Sequence, residues 1–134
     1  MIKRYGAPTY FESQINRERL EKLNIWIPLD QLSKYRIYYK KVIKLTNIYK
    51  DQLFNEWDGL CYYTGKKLLT RDKKNYNNSI YPTVDHKISI FYGFKNDIDF
   101  NKIGSFDNLC ICGRKINIQK SLLTEDQYSI IIKK

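Results

Sequence analysis

Histidine occurs once in the 134 residues, cysteine three times, and acidic residues 14 times against 24 lysines and arginines. Each scarcity excludes something. The cysteines, Cys61, Cys110 and Cys112, are odd in number and irregular in spacing, which argues against a secreted disulfide framework and suits free thiols in a reducing compartment. No run approaches the roughly 18 apolar residues of a membrane span. The opening stretch MIKRYGAPTYFESQINRERLEKL is broken by charge where a signal peptide needs an apolar centre. An intracellular protein, not secreted and without a membrane partner, is the expectation. No repeat or low-complexity linker is present, and the length fits one compact domain with an appended arm.

The deficit of acids leaves a net charge of +10, which favours a polyanionic partner, nucleic acid above all, over an acidic small molecule. A coding bias toward Lys, Ile, Asn and Tyr is the competing explanation for part of that basicity. The basic residues are scattered, and no cationic helix with a clean apolar face marks a membrane-surface binder.

The character of the chain changes near residue 57. Before it the pattern is helical: NRERLEKL (16–23) reads as a short charged helix, and Pro28 punctuates the chain. Asp30 is placed to cap a longer helix reaching about Trp57, with Leu32, Tyr35, Tyr39, Val42, Leu45 or Ile43, and Tyr49 on one stripe. Lys34, Arg36, Lys40, Lys41, Lys44 and Lys50 lie between them. A solvated face explains these charges as readily as a DNA-backbone contact surface does.

After Trp57 the segments shorten. GLCYYTGKKLLT suggests a turn at Thr64-Gly65, and RDKKNYNNS a polar loop. YPTVDHKISIFYG reads as a strand opening at Pro82 and stopping at Gly93, KNDIDFNKIGSFD as irregular structure, and NLCICG as a second strand. RKINIQKSLL has helical character, and Thr124 caps either a final helical turn or a strand. The fold class expected is α+β.

Within this order, Asp85-His86 ends the β-branched run, Asn108 precedes the second strand, and Asn117 follows at an interval of nine with Lys120 three further on. Residues at i and i+3 share a helix face, so Asn117 and Lys120 can point together. An aspartate-histidine dipeptide alone is common. The combination VDHKIS with DNLCICGRKINIQKS resembles the signature of the HNH endonucleases of the ββα-metal superfamily, phage and homing types included. His86 stands at the first H, Asn108 at the N, and Asn117 at the last position. The resemblance covers about residues 57 to 127, so residues 1–56 are expected to form an N-terminal helical extension and residues 57–134 the nuclease domain.

Chemistry explains the residue types. Phosphodiester hydrolysis needs a nucleophile made from water, stabilisation of phosphate charge, and relief for the departing oxygen. His86, with an ordinary pKa of about 6.5, can act as general base. Asp85 and the Asn117 amide oxygen are hard ligands suited to Mg²⁺, or Mn²⁺, the divalent metal that would supply the remainder. The resemblance implies that a backbone carbonyl or similar acceptor orients the His86 ring, that Asn108 pins the loop behind it, and that Lys120 contacts the substrate phosphate. Lys87, Arg114, Lys115 and Lys120 are the candidate nucleic-acid contacts. Adjacent strand residues face opposite ways, so the strand should end or bulge at Asp85-His86.

Many HNH proteins add a zinc held by two Cys-x-x-Cys pairs. Here the matching positions are Cys61, Thr64, Gly113 and Ile116, so no structural zinc is expected. Stability should come from Tyr62, Tyr63, Phe91, Phe94, Ile111 and the long helix. The expected function is metal-dependent cleavage of double-stranded DNA, and the alternative is a catalytically silent HNH-fold DNA-binding accessory. RNA is disfavoured because nothing identified reads a 2′-hydroxyl. One site cuts one strand, so double-strand cleavage would need a homodimer or two binding events.

Overall fold

The structure, a computed structural model, describes residues 27–120 and 123–132. The short helix expected over residues 16–23 lies outside the described residues. Among those described are five α-helices and one two-stranded antiparallel sheet, a mixed α+β arrangement. No helix among them is long and apolar enough to cross a membrane.

Pro28 holds extended backbone, a 3-10 turn (Leu29–Gln31) comes next, and helix α1 runs over Leu32–Asn55. Asp30, expected as the cap, instead falls inside the turn; Gln31 holds the cap position without a side-chain capping bond. Packing, not capping, fixes this helix. Tyr35 and Val42 are buried with Ile27, Ile90, Phe91 and Ile103 in one apolar cluster, and Leu32, Tyr39 and Ile43 pack at its margin. The stripe read from the sequence is therefore the buried face. Arg36, Lys40, Lys41 and Lys44 remain exposed. The cluster also joins residues on both sides of the boundary expected at 56/57, so α1 shares a core with Ile90, Phe91 and Ile103.

Thr64-Gly65 forms the expected turn. Gly65 has φ +71°, the Cys61 N–H donates to the Lys66 carbonyl at 2.8 Å, and Leu60 pairs with Lys67. Cys61, Leu68, Ile111 and Cys112 make a second apolar cluster, bordered by Trp57, Tyr63 and Ile116. Tyr62, expected in the core, is 48% exposed and covers the ring of Tyr63 edge-on.

Strand β1 (Pro82–His86) pairs with β2 (Leu109–Gly113), Pro82 opposite Gly113 and His86 opposite Leu109. β1 ends at His86, well short of Gly93. Ser89 starts a helix instead: its hydroxyl accepts the Tyr92 N–H at 3.0 Å and opens α2, Ile90–Lys95. Gly93 sits inside α2 because a Cβ there would lie 2.5 Å from Tyr38 Oη and 2.6 Å from Ile103 Cγ1. It marks a close approach of helices, not a stop. The segment expected to be irregular contains α3 (Phe100–Ile103), capped by Asp99, whose carboxylate accepts the Asn101 N–H at 2.7 Å.

Helix α4 (Arg114–Lys120) leaves β2 directly and packs on both strands. Thr124 then resolves the last element as helix α5, Glu125–Ile132. Its hydroxyl accepts the Gln127 N–H at 3.1 Å while Gln127 Oε1 accepts the Thr124 N–H at 2.9 Å. That reciprocal pair is a capping box.

Candidate functional site

β1 delivers Asp85 and His86 to opposite sides, as alternation requires. Asp85 turns inward and is 5% exposed. The Tyr63 hydroxyl donates to its Oδ2 at 2.5 Å, and Lys120 Nζ lies 3.1 Å from Oδ2 and 3.5 Å from Oδ1. Burial pushes the Asp85 carboxyl up, against the opposing pull of the Lys120 ammonium and the Tyr63 hydrogen bond. Burial, with the Asp85 charge behind it, raises the Tyr63 phenol as well.

Lys120 requires a correction. Its side chain is 0% exposed, and its ammonium also donates to the His86 carbonyl oxygen at 2.8 Å. In this packing the ammonium serves Asp85 and the strand end rather than a substrate phosphate. The reason is i+3 geometry working inward: Asn117 and Lys120 both face β1, as their spacing predicts, but the strand's interior side takes the lysine.

His86 is half-buried, and its Nε2 lies 2.9 Å from the Thr46 hydroxyl of α1. Burial, and after it the Lys120 charge, lowers the imidazole pKa to about 4. The ring is accordingly neutral at physiological pH.

Asn117 Nδ2 donates to Thr83 Oγ1 at 3.0 Å and to the Val84 carbonyl at 3.2 Å. A carbonyl only accepts, so the NH₂ end must face Val84 and the orientation of the amide is fixed. Thr83 spends its own hydrogen on the Cys112 carbonyl at 2.9 Å, which leaves its oxygen free to accept from Asn117. Asn117 Oδ1 has no hydrogen-bond partner among the described residues.

Asn108 is buried and fully used. Its Oδ1 accepts the Ile88 N–H at 2.8 Å, and its Nδ2 donates to the carbonyls of Ile88 at 3.0 Å and Ile103 at 2.7 Å. It thereby ties both ends of the 88–103 segment to β2.

Val84, Asp85, His86 and Asn117 border one cavity of about 150 Å³, closed on the other side by Tyr35, Tyr39 and Ile43 of α1. The chain matches no family model, no curated protein and no solved structure. Geometry alone therefore carries the functional reading.

The other candidate cations are placed apart. Lys87 sits over the Tyr62 ring at 4.7 Å and lines a different cavity, with Trp57 and Phe106. Arg114 lies over the Tyr76 ring at 4.9 Å, and Lys115 is exposed at the start of α4. Cys61, Cys110 and Cys112 are buried free thiols, two of them inside the second apolar cluster.

Among the described residues no three His, Cys, Asp or Glu side chains gather as a metal-ligand group. The donor set expected here is smaller, one carboxylate and one carboxamide. Both residues border the same cavity and carry hard oxygen donors, the type a hydrated Mg²⁺ or Mn²⁺ takes, with the Asp85 carboxylate turned toward Tyr63 and Lys120. Sequence reasoning passed over Thr46 and gave Tyr63 only a packing role. A signal existed for Thr46: it is a hydroxyl four residues after Val42 on an otherwise apolar stripe. Tyr63 carried none, because its partner lies across the fold.

Proposed function

We propose that this chain is a metal-dependent endonuclease of the HNH type, with a ββα-metal core, that hydrolyses phosphodiester bonds in double-stranded DNA. One observation carries the reading: His86, Asp85 and Asn117 border the same cavity although strand and helix supply them separately. The antiparallel pair β1–β2 leading straight into α4 supports the core assignment. The net charge of +10 supports a polyanionic substrate.

In this reading the neutral His86 ring accepts a proton from the attacking water, a contribution typically worth about 10²–10⁴ in rate. Asp85 and Asn117 are the residues that would hold the cation, Asn117 through its Oδ1. When bound, the cation supplies Lewis acidity at the phosphate and at the leaving oxygen. Lys120 and Tyr63 hold the Asp85 carboxylate in place, Thr83 fixes the Asn117 amide, and Asn108 secures the backbone behind His86. Tyr35, Tyr39 and Ile43 of α1 line the cavity opposite these groups.

A second reading, a catalytically silent DNA-binding accessory, draws on one specific observation: the Asp85 carboxylate is already neutralised by a buried ammonium. Supercoiled plasmid incubated with the protein and Mg²⁺ or Mn²⁺ separates the two. Nicking that disappears with EDTA and in His86→Ala supports the enzyme. Retained DNA binding without cleavage under either ion supports the accessory and removes the nuclease reading.

A further inference from the structure

Thr46 belongs to α1, outside the segment that bears the HNH resemblance, yet it is 5% exposed and in contact with the only histidine. Its hydroxyl has one hydrogen and two close neighbours. Oγ1 is 2.8 Å from the Val42 carbonyl oxygen and 2.9 Å from His86 Nε2. A carbonyl oxygen can only accept. If the hydroxyl hydrogen pointed at Nε2, two oxygen lone pairs would face each other across the 2.8 Å contact. With the hydrogen on the Val42 carbonyl, Nε2–H donates to Oγ1 and both contacts are attractive.

We infer that Thr46 is a positioning residue that fixes His86 as the Nε2–H tautomer and leaves the Nδ1 lone pair as the basic site. Among the described residues Nδ1 has no hydrogen-bond partner, and the ring borders the cavity that also holds Asp85 and Asn117. The tautomer decides which ring atom can take a proton, because a neutral imidazole carries one donor and one acceptor nitrogen. The inference rests on the proposed role of His86, and it gives α1 a part in the site. Whereas the resemblance implies a backbone carbonyl or similar acceptor, this chain uses a side-chain hydroxyl whose own hydrogen is committed elsewhere. That commitment makes the hydroxyl one-directional toward the ring.

A single histidine makes the test direct. Long-range ¹⁵N–¹H correlation spectra of the metal-free protein near pH 7 should show Nδ1 as a bare ring nitrogen and Nε2 as a protonated one. Thr46→Val keeps the shape and removes the acceptor; both nitrogens should move toward averaged positions, and Thr46→Ser should restore the wild-type pattern. In plasmid nicking, Thr46→Val should lower kcat by roughly tenfold or more, within the range a positioned base contributes, with KM little changed. A wild-type ring protonated on Nδ1, or a Thr46→Val spectrum identical to wild type, overturns the inference. The expected spectra from a protein that never nicks DNA would overturn the nuclease reading and leave the tautomer assignment intact.

Discussion

Replacing Lys120 by methionine removes the ammonium and keeps most of the side-chain volume, so the loss can be worked from the pair it breaks. Lys120 Nζ and Asp85 Oδ2 are 3.1 Å apart, with 0% and 7% of the two side chains exposed. Deleting one partner of so buried a pair typically costs about 3–5 kcal/mol, because the remaining charge stays desolvated. Two further contacts pull in opposite directions. The Tyr63 hydroxyl still donates to Oδ2 and softens the loss, while the His86 carbonyl loses its donor and deepens it. Each is worth on the order of 1 kcal/mol, so the net expectation remains about 4 kcal/mol. That is a large share of the roughly 5–15 kcal/mol by which a domain is stable. Urea unfolding followed by tryptophan fluorescence should show a lower midpoint with an unchanged slope. Asp85→Asn should also destabilise, and the double variant should recover part of the sum, with a coupling of about 2 kcal/mol or more. A loss below about 1 kcal/mol for Lys120→Met, or additivity in the cycle, would refute the buried pair. It would also return Lys120 to the phosphate-contacting role that its burial removes.

Four other outcomes are expected. Because the folded His86 pKa is lowered to about 4 from about 6.5 unfolded, its contribution to stability is complete above about pH 6.5 and is lost as pH falls toward 4. The loss is at most about 3 kcal/mol; urea titrations across that window should show a decline that His86→Asn abolishes, and an identical decline in the variant would assign it to other groups. Gly93→Ala should cost about 1–3 kcal/mol by driving Tyr38 and Ile103 out of place, so a thermal midpoint equal to wild type would count against that close approach. Asn108→Ala leaves the Ile88 N–H and the Ile88 and Ile103 carbonyls short of a partner and should cost about 3 kcal/mol; faster amide exchange should appear at Ile88, and unchanged exchange there would show that the loop is held by something else. Lys40→Glu with Lys44→Glu, on the exposed face of α1, should weaken duplex binding and reduce the slope of log K against log salt by about 2. Unchanged affinity and slope would return these lysines to a solvated surface.

The elements legible in the sequence were those whose signals are local or periodic. The α1 stripe through Tyr35 and Val42 needed only helical spacing, and β1 was announced by Pro82 and the β-branched pair after it. Thr124 was legible as a cap, but the choice between helix and strand needed Gln127 to answer it. Gly93 was misread because a glycine's meaning depends on what approaches it; Tyr38 and Ile103, remote in the chain, made it a contact point inside a helix. Asp30 was misread because a favourable cap residue one position early is absorbed by a 3-10 turn. For the site, the order and spacing of Asp85, His86, Asn108 and Asn117 were readable. The side to which each group turns was not, since that depends on α1 and on Tyr63, which no spacing rule connects to β1.

Thr46 with His86, Tyr63 and Lys120 with Asp85, and Thr83 with Asn117 place four polar contacts along a five-residue strand. Stability alone does not call for them. A buried ion pair replaced by well-packed apolar residues is often neutral or stabilising, and a polar network left partly satisfied is worse than none. Elsewhere the interior adopts the simpler solution: Val42, Ile103 and Phe91 in one cluster, and Leu68, Ile111 and Cys112 in the other, are apolar throughout. At the end of β1 one imidazole nitrogen and one carboxamide oxygen are left without protein partners among the described residues, whereas buried Asn108 spends its amide on the Ile88 and Ile103 backbone. A core built for stability alone would have no reason to place those two open atoms beside a buried ion pair.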